Sequence, residues 1–389
     1  MTKVLISAGD VSGDLHGGAL IRELRRRMPA VEVWGLGGEA MRAAGAQMIA
    51  DQGDLAIGGF FEVLGQWGRI ARAWRAATRS LERIDPDLVI LIDSAGFNLP
   101  LARRVRSRTR AQVLYYIAPQ IWAWRRGRLR KLVARVDRVA VIFPFELRAY
   151  RDVSLRVDFV GHPLVDELIP WRASCDRDEA CRRLGLDPAR RWIALLPGSR
   201  HNEVIRHLPI LIEAASRLYS QLPELGFVLA RAPSLERSAL EEQLERCQKS
   251  VETRVPILIE SERSREVIRA SDLVLLKPGT GTVESMLLQR PMVVVGRANP
   301  LTAMAVRRLL KVRWLGMPNL LAGEGLVPEW LQAEATPDHV AASARTLLDS
   351  EAAAAQVRGL ATLEGQLGAG GAAQRVAQIA EEMIVGFSA

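Results

Sequence analysis

The sequence predicts an α/β protein built from two parallel-sheet β/α/β domains, and three observations carry that prediction. With 389 residues the chain exceeds one ordinary hydrophobic core, so two domains are expected. Short continuous apolar runs such as Val4-Leu5-Ile6, Leu88-Val89-Ile90-Leu91-Ile92 and Leu273-Val274-Leu275-Leu276 suit strands buried on both faces. Each run breaks into a Gly, Ser or Asp loop and resumes with helical character, and strand-helix-strand succession implies parallel pairing.

Composition narrows the class. Hydrophobic residues make up 49% of the chain without any low-complexity tract, which excludes a disordered protein. The formal net charge of +9 leaves anionic lipid, nucleic acid and phosphorylated substrates open as partners. Cys175, Cys181 and Cys247 have no metal-ligand spacing and leave an odd thiol, as expected in a reduced cytoplasm. The N-terminus enters a strand with no charged n-region, apolar h-region or cleavage site, so secretion is not expected. Nowhere do eighteen apolar residues run uninterrupted, which argues against a spanning helix while leaving surface attachment open.

Taken in order, residues 3–8 form a buried strand that Gly9-Asp10-Val11-Ser12-Gly13-Asp14 turns into a helix over about 15–27. Ser12 or Asp14 could cap this helix, and Gly9 and Gly13 permit close approach of a ligand or of a facing domain. The glycine spacing is not the dinucleotide fingerprint G-x-G-x-x-G, which argues against a nicotinamide cofactor. Residues 31–36 form the second strand, and 39–44 a short helix. Next, Phe60, Phe61, Leu64 and Trp67 precede Arg69, Arg72, Trp74, Arg75 and Arg79. This segment could lie in a membrane interface with its arginines on lipid phosphates, or be a buried amphipathic helix with a solvated basic face.

The strand over 88–92 ends on Asp93. A carboxylate at the C-terminal edge of a parallel strand is a candidate general base; alternatively it caps a helix over 101–107. After a strand over 113–117, residues 118–128 interleave Trp122 and Trp124 with arginines, which suits sugar, phosphate or lipid contact, or a packed corner. Residues 139–146 close this half-sheet, and His162 on the exit segment could reach a phosphate or sit satisfied in its loop.

The second half opens with a polar helix over 178–184 and a strand over 192–196. Pro197-Gly198-Ser199-Arg200 then sets a Gly-Ser loop and a guanidinium at a helix start, an arrangement suited to a diphosphate. Strands over 227–230 and 255–259 flank a helix over 235–247. After the strand 271–276, Lys277-Pro278-Gly279-Thr280-Gly281-Thr282-Val283-Glu284 repeats the pattern. Gly279 and Gly281 let backbone approach a pyrophosphate, Thr280 and Thr282 add hydroxyls, and Glu284 could accept bonds from a ribose diol. An ordinary capped turn would use the same residues. Residues 291–296 are the last clear strand, 301–310 a basic amphipathic helix, and 317–323 an apolar loop holding Asn319. Helices over 337–348 and 374–384 finish the chain, the last crossing back to the first domain.

Six stretches, in this order, resemble the lipid-A-disaccharide synthase family over roughly residues 4–331: Gly9-Asp10-Val11-Ser12-Gly13-Asp14, Pro119-Gln120-Ile121-Trp122-Ala123-Trp124, Val160-Gly161-His162-Pro163, Leu196-Pro197-Gly198-Ser199-Arg200, Gly279-Thr280-Gly281-Thr282-Val283-Glu284 and Pro318-Asn319-Leu320-Leu321-Ala322. The resemblance implies a GT-B glycosyltransferase, with two Rossmann-like β/α/β domains facing across a cleft. Residues 1–168 would form the acceptor and membrane-facing domain, 169–350 the nucleotide-sugar domain, and 351–389 helices packing back on the first. It further implies inverting transfer from UDP-2,3-diacylglucosamine to 2,3-diacylglucosamine 1-phosphate. The products would be the β-1,6-linked lipid A disaccharide 1-phosphate and UDP, with no metal or other cofactor. By matched position, Asp93 takes the proton of the acceptor 6-hydroxyl and Ser12 stands beside the acceptor. Ser199, Arg200, Gly279 and Thr280 hold the phosphates, Glu284 the ribose, and Asn319 lies near the nucleotide.

Acylated substrates make Phe60, Phe61, Leu64 and Trp67 candidate membrane or acyl contacts, with peripheral attachment at the cytoplasmic face of the inner membrane. A homodimer is implied by the resemblance alone. No nucleic-acid motif accompanies the positive charge, so nucleic acid is not an expected partner. The chain departs from the family at three places: Asp10 replaces a Glu, Gly96 stands where many members have a second Asp, and Lys277-Pro278 replaces small residues. Rival readings are a UDP-sugar 2-epimerase or other GT-B enzyme with a soluble substrate, and a non-catalytic nucleotide-sugar or lipid binder. The apolar stretch at Phe60 to Trp67 argues against the first; Asp93→Asn separates the second, since turnover should collapse while UDP binding persists.

Overall fold

The buried apolar runs pair in parallel, in two separate sheets. The structure, a computed structural model, describes residues 1–51, 63–119, 121, 126–298 and 313–388. They divide into two units, Met1–Pro163 with Leu367–Ala389, and Leu164–Gln366.

The first unit runs β1 (Lys3–Ala8), α1 (Val11–Arg27), β2 (Glu32–Gly37), α2 (Glu39–Ala43), β3 (Gln47–Asp51), α3 (Val63–Ile84), β4 (Leu88–Ile92), α4 (Ala95–Arg108), β5 (Gln112–Tyr116), α5 (Arg126–Val133), β6 (Arg138–Val141) and β7 (Arg156–Phe159). Its strands lie in the order β3-β2-β1-β4-β5-β6-β7. Leu5, Ile6, Val89, Ile90, Val113 and Leu114 are wholly buried, each contributing roughly 1.5–3 kcal/mol of transfer free energy. The order reverses between β1 and β4, which pair in register from Val4↔Leu88 to Ala8↔Ile92. Gly9 and Asp93 therefore leave the sheet side by side, at the edge where open α/β sheets bind ligands.

The second unit repeats the plan. After α6 (Pro163–Ser174) and α7 (Arg177–Leu184) come β8 (Trp192–Leu196), α8 (His201–Gln221), β9 (Gly226–Arg231), α9 (Arg237–Gln248), β10 (Ile257–Ser261), α10 (Ser264–Ala270), β11 (Leu273–Leu276), α11 (Thr280–Leu287), β12 (Met292–Gly296), α12 (Met317–Ala322), β13 (Glu329–Leu331), α13 (Pro337–Leu347) and α14 (Ser350–Glu364). The strand order β10-β9-β8-β11-β12-β13 reverses between β8 and β11, whose last pair is Leu196↔Leu276. Pro197 and Lys277 are thus neighbours.

The chain returns to the first unit at Leu367, and α15 (Ala372–Ser388) packs along α1. Its anchors are ionic: Arg27 to Glu381 at 2.6 Å and buried Arg138 shared between Asp158 (2.6 Å) and Glu382 (2.8 Å). Near the return, Gly161 has φ +82° and the His162 N–H donates to Leu367 O at 2.8 Å.

Several features differ from the sequence expectation: β3 and α14 are not anticipated, and α4 starts at Ala95 rather than at 101. Helix α1 begins at Val11 because Asp10, rather than Ser12 or Asp14, is its N-cap, accepting from Gly13 N–H at 2.7 Å. Residues 317–322 are a helix instead of a loop, with Pro318 in its first turn and Gly323 closing it at φ +73°. Trp74 sits edge-on to Phe97 at 5.6 Å on the core side of α3, so it is not a membrane-plane residue, whereas Arg72, Arg75 and Arg79 are exposed. Phe60, Phe61, the side chains of Leu64 and Trp67, and the 301–310 segment lie outside the described residues. Among the described residues no helix is long and apolar enough to cross a membrane.

Candidate active site

In the first unit, the turn after β4 is backbone-strained. Asp93 (φ 44°) and Ser94 (φ 43°) both adopt left-handed conformations, uncommon for non-glycine residues and often found where function demands them. The turn is held from three sides: Asp93 N–H donates to Tyr116 O (3.1 Å), and Asp93 O accepts from Tyr115 Oη (2.5 Å) and Asn98 Nδ2 (3.0 Å). Ser94, not Asp93, is the N-cap of α4, so the capping alternative for Asp93 falls. Asn98 is wholly buried; it also donates to Ile92 O (2.9 Å) and accepts from Ser7 Oγ (2.7 Å), stapling β4 to β1 at the reversal. Gly9 is needed because a Cβ there would lie 2.3 Å from Ser94 Oγ; the close approach it permits is that of the neighbouring loop.

Ser12 is exposed on the first turn of α1, and its Oγ is 3.2 Å from His16 Nε2. His16 is held neutral: burial pushes its pKa down to about 4 against the opposing pull of Asp10. Burial, with His16 nearby, pushes His162 down to about 3, and its ring packs 5.1 Å from Phe143. His162 is therefore a neutral, buried imidazole rather than a phosphate-binding cation. Asp14 is spent on structure, accepting from the N–H groups of Gly38 (2.7 Å), Ala40 (2.9 Å) and Met41 (3.2 Å) at the start of α2.

In the second unit, the loops after β8 and β11 converge. Exposed Arg200 is the N-cap residue of α8, and its guanidinium lies 3.6 Å from Glu203 Oε1. Ser199 N–H donates to Glu203 Oε2 at 3.0 Å. Lys277 Nζ approaches the same carboxylate, 3.3 Å from Oε1. Burial would raise the Glu203 pKa, yet Lys277, Arg200 and the Ser199 N–H together hold it below the ordinary range. Gly279, at φ +146°, is the N-cap of α11; Thr280 begins the helix exposed, while Thr282 Oγ1 donates to Gly279 O at 2.6 Å. The Thr282 hydroxyl thus secures the turn rather than offering itself to a ligand.

Glu284, one turn into α11, has its pKa raised to about 7, first by burial and then by Glu167 on α6. Asn319 is wholly buried with its amide fully used: Nδ2 donates to Val327 O and Glu329 Oε2 (both 3.0 Å), and Oδ1 accepts from Val327 N–H (2.8 Å). Glu329 in turn accepts from the N–H groups of Leu315 (2.5 Å) and Gly316 (3.1 Å). Asn319 is therefore a staple for the segment entering α12. His207 ties Arg297, just after β12, to α8: Arg297 N–H donates to Nε2 (3.1 Å), which leaves the proton on Nδ1, donating to Glu203 O (2.8 Å).

Sequence reasoning brought out Asp93, Arg200, Ser199, Gly279, Thr280 and Glu284. It passed over His16, and also Asn98, Glu203 and His207, whose roles depend on partners far away in sequence. Among the described residues, no group of three or more His, Cys, Asp or Glu side chains is placed to hold a metal ion.

Comparison with known proteins follows the same lines. Residues 4–382 match the family model described as lipid-A-disaccharide synthetase. The lipid-A-disaccharide synthase of Geobacter sulfurreducens is 40% identical over 383 residues, covering 98% of this chain and 97% of its own length. That of Anaeromyxobacter dehalogenans is 40% identical over 377 residues, covering 97% and 96%. Among solved structures, the UDP-GlcNAc 2-epimerase of Neisseria meningitidis bound to UDP-GlcNAc superposes with TM-score 0.68 at 14% identity, covering 98% of this chain and all of that one. MurG of Acinetobacter baumannii gives 0.54 at 16% identity, covering 98% and 100%. These structural likenesses speak to the fold, two Rossmann-like domains of the GT-B kind, and the sequence matches separate the synthases from the epimerases.

Proposed function

This chain belongs to the lipid-A-disaccharide synthase family and is a glycosyltransferase; from that premise we propose that it joins UDP-2,3-diacylglucosamine to 2,3-diacylglucosamine 1-phosphate with inversion. The acceptor 6-hydroxyl oxygen attacks the anomeric carbon of the donor while the bond from that carbon to the β-phosphate oxygen breaks. Asp93 takes the hydroxyl proton, and the leaving electron pair goes to UDP. The strained, triply anchored turn fixes where the Asp93 carboxylate starts, which supports a positioned base.

UDP gains negative charge as it departs. Arg200 and the N-terminal amides of α11 from Gly279 and Thr280 are the donors assigned to that charge, and preorganised donors of this kind contribute on the order of 3–4 kcal/mol each in known enzymes. Ser199 shapes the Arg200 loop and Glu284 accepts from the ribose diol. Asn319 acts indirectly, through the segment it staples. Ser12 with His16 lines the acceptor side. The observation that carries the proposal is placement: Asp93 stands at the strand-order reversal of one sheet, and Arg200 with Gly279 at the reversal of the other.

Because both substrates carry acyl chains, attachment to the cytoplasmic face of the inner membrane is part of the proposal, through the apolar residues Phe60 to Trp67 and the exposed arginines of α3 at roughly 1 kcal/mol each. Incubation with both substrates, followed by mass spectrometry, tests the reaction. Disaccharide 1-phosphate plus UDP is expected; folded protein that yields none overturns the assignment and leaves the fold standing.

A further inference from the structure

Lys277 follows β11 directly, and its N–H donates to Leu196 O of β8 at 3.2 Å, so it stands at the strand-order reversal of the second sheet. Its side chain is only 25% exposed. The ammonium lies beside the first residue before α11, since a Cβ on Gly279 would stand 2.8 Å from Nζ. A cation at the positive end of a helix sits in an unfavourable field and needs a counter-charge. Glu203 supplies it, and Glu203 is shared: Oε1 is 3.3 Å from Lys277 Nζ and 3.6 Å from Arg200 Nη1, while Oε2 accepts the Ser199 N–H at 3.0 Å. Gly198, at φ +133°, serves the same arrangement, because a Cβ there would come within 2.5 Å of Glu203 Oε2. Two cations thus meet one internal carboxylate, and the cluster keeps a net positive charge beside a helix N-terminus.

We propose that Lys277 is a second diphosphate-binding cation of the donor site and that Glu203 is the positioning residue that holds it there. The inference rests on the nucleotide-sugar reading above and names a residue which that reading does not require. Each phosphate of a nucleoside diphosphate carries negative charge, and Arg200 with Lys277 gives each phosphate its own cation. Glu203 keeps the two guanidinium and ammonium groups from repelling one another apart before the ligand arrives, and its hold on the Ser199 N–H keeps the loop in the receiving shape.

Calorimetric titration of the full chain with UDP and with uridine tests this. Lys277→Met is expected to weaken UDP binding about tenfold to a hundredfold, the loss of one charge-assisted bond, while uridine affinity stays within about twofold. Lys277→Arg is expected to recover most of the loss. Glu203→Gln is expected to weaken UDP binding in the native chain and to cost clearly less in the Lys277→Met background, where only its hold on Arg200 and the Ser199 N–H remains to be lost; a purely structural glutamate would cost the same in both. Unchanged UDP affinity in Lys277→Met, or an equal loss for uridine, overturns the proposal. Native protein that fails to bind UDP at all refutes the nucleotide-sugar reading itself.

Discussion

Replacing Glu284 by Gln separates what this carboxylate does for stability from what it does for the nucleotide. Burial, with Glu167 adding to it, carries its pKa from the ordinary 4.5 to about 7. The folded protein therefore keeps a proton that the unfolded chain releases between those values. A raised carboxyl makes stability fall as pH climbs through that window, with no penalty below 4.5 and the full penalty above 7. The full penalty amounts to about 3 kcal/mol, and between about pH 5.5 and about pH 8.5 it grows by roughly 2 kcal/mol. Glu284→Gln removes the ionisation and keeps the volume. Urea unfolding at both pH values should show the variant gaining about 2 kcal/mol on the native protein as pH rises. Binding runs the other way: a ribose diol donating to the carboxylate favours its ionised form, so native UDP affinity should rise from pH 6 to pH 8 while the variant binds weakly with a flat profile. A stability gap equal at both pH values would refute the reasoning.

Three further outcomes are expected. Asp93→Asn should lower turnover by about 10²–10⁴ while calorimetric UDP affinity is unchanged; undiminished turnover removes Asp93 as the base. Gly96→Asp should fold normally and gain about 0.5–1 kcal/mol in thermal unfolding, because a Cβ at Gly96 meets nothing within 4 Å and the first turn of α4 holds no acidic residue. Asn319→Ala should cost about 3 kcal/mol, since it strands Val327 N–H and O and one Glu329 oxygen; a loss under about 1 kcal/mol in the same measurement would deny it the staple role.

What the sequence made legible were features stated locally, and what it hid were features completed at a distance. The buried runs and their Gly-rich breaks announce parallel strands, and the order of motifs announces the family, because each lies within a few residues of its own cause. The start of α1 was ambiguous for a local reason: Asp10, Ser12 and Asp14 all suit a cap, and only the fold assigns Asp14 to α2. Six residues at 317–322 are too few to display a helical period, although Pro318 and Gly323 bracket them in the way helix ends require. Asn319 reads as an amide near the nucleotide and Asn98 draws no notice, yet both are consumed by groups that sequence cannot place beside them. Glu203 is the clearest case. In sequence it is an acidic residue in the first turn of a helix, a position explained by the helix dipole alone. Its partner Lys277 lies 74 residues away and becomes a neighbour because β8 and β11 pair at the point where strand order reverses. The same reversal that makes a ligand site also brings together the charges that tune it, so the residues most telling about how tightly a diphosphate is held are those a linear reading leaves apart.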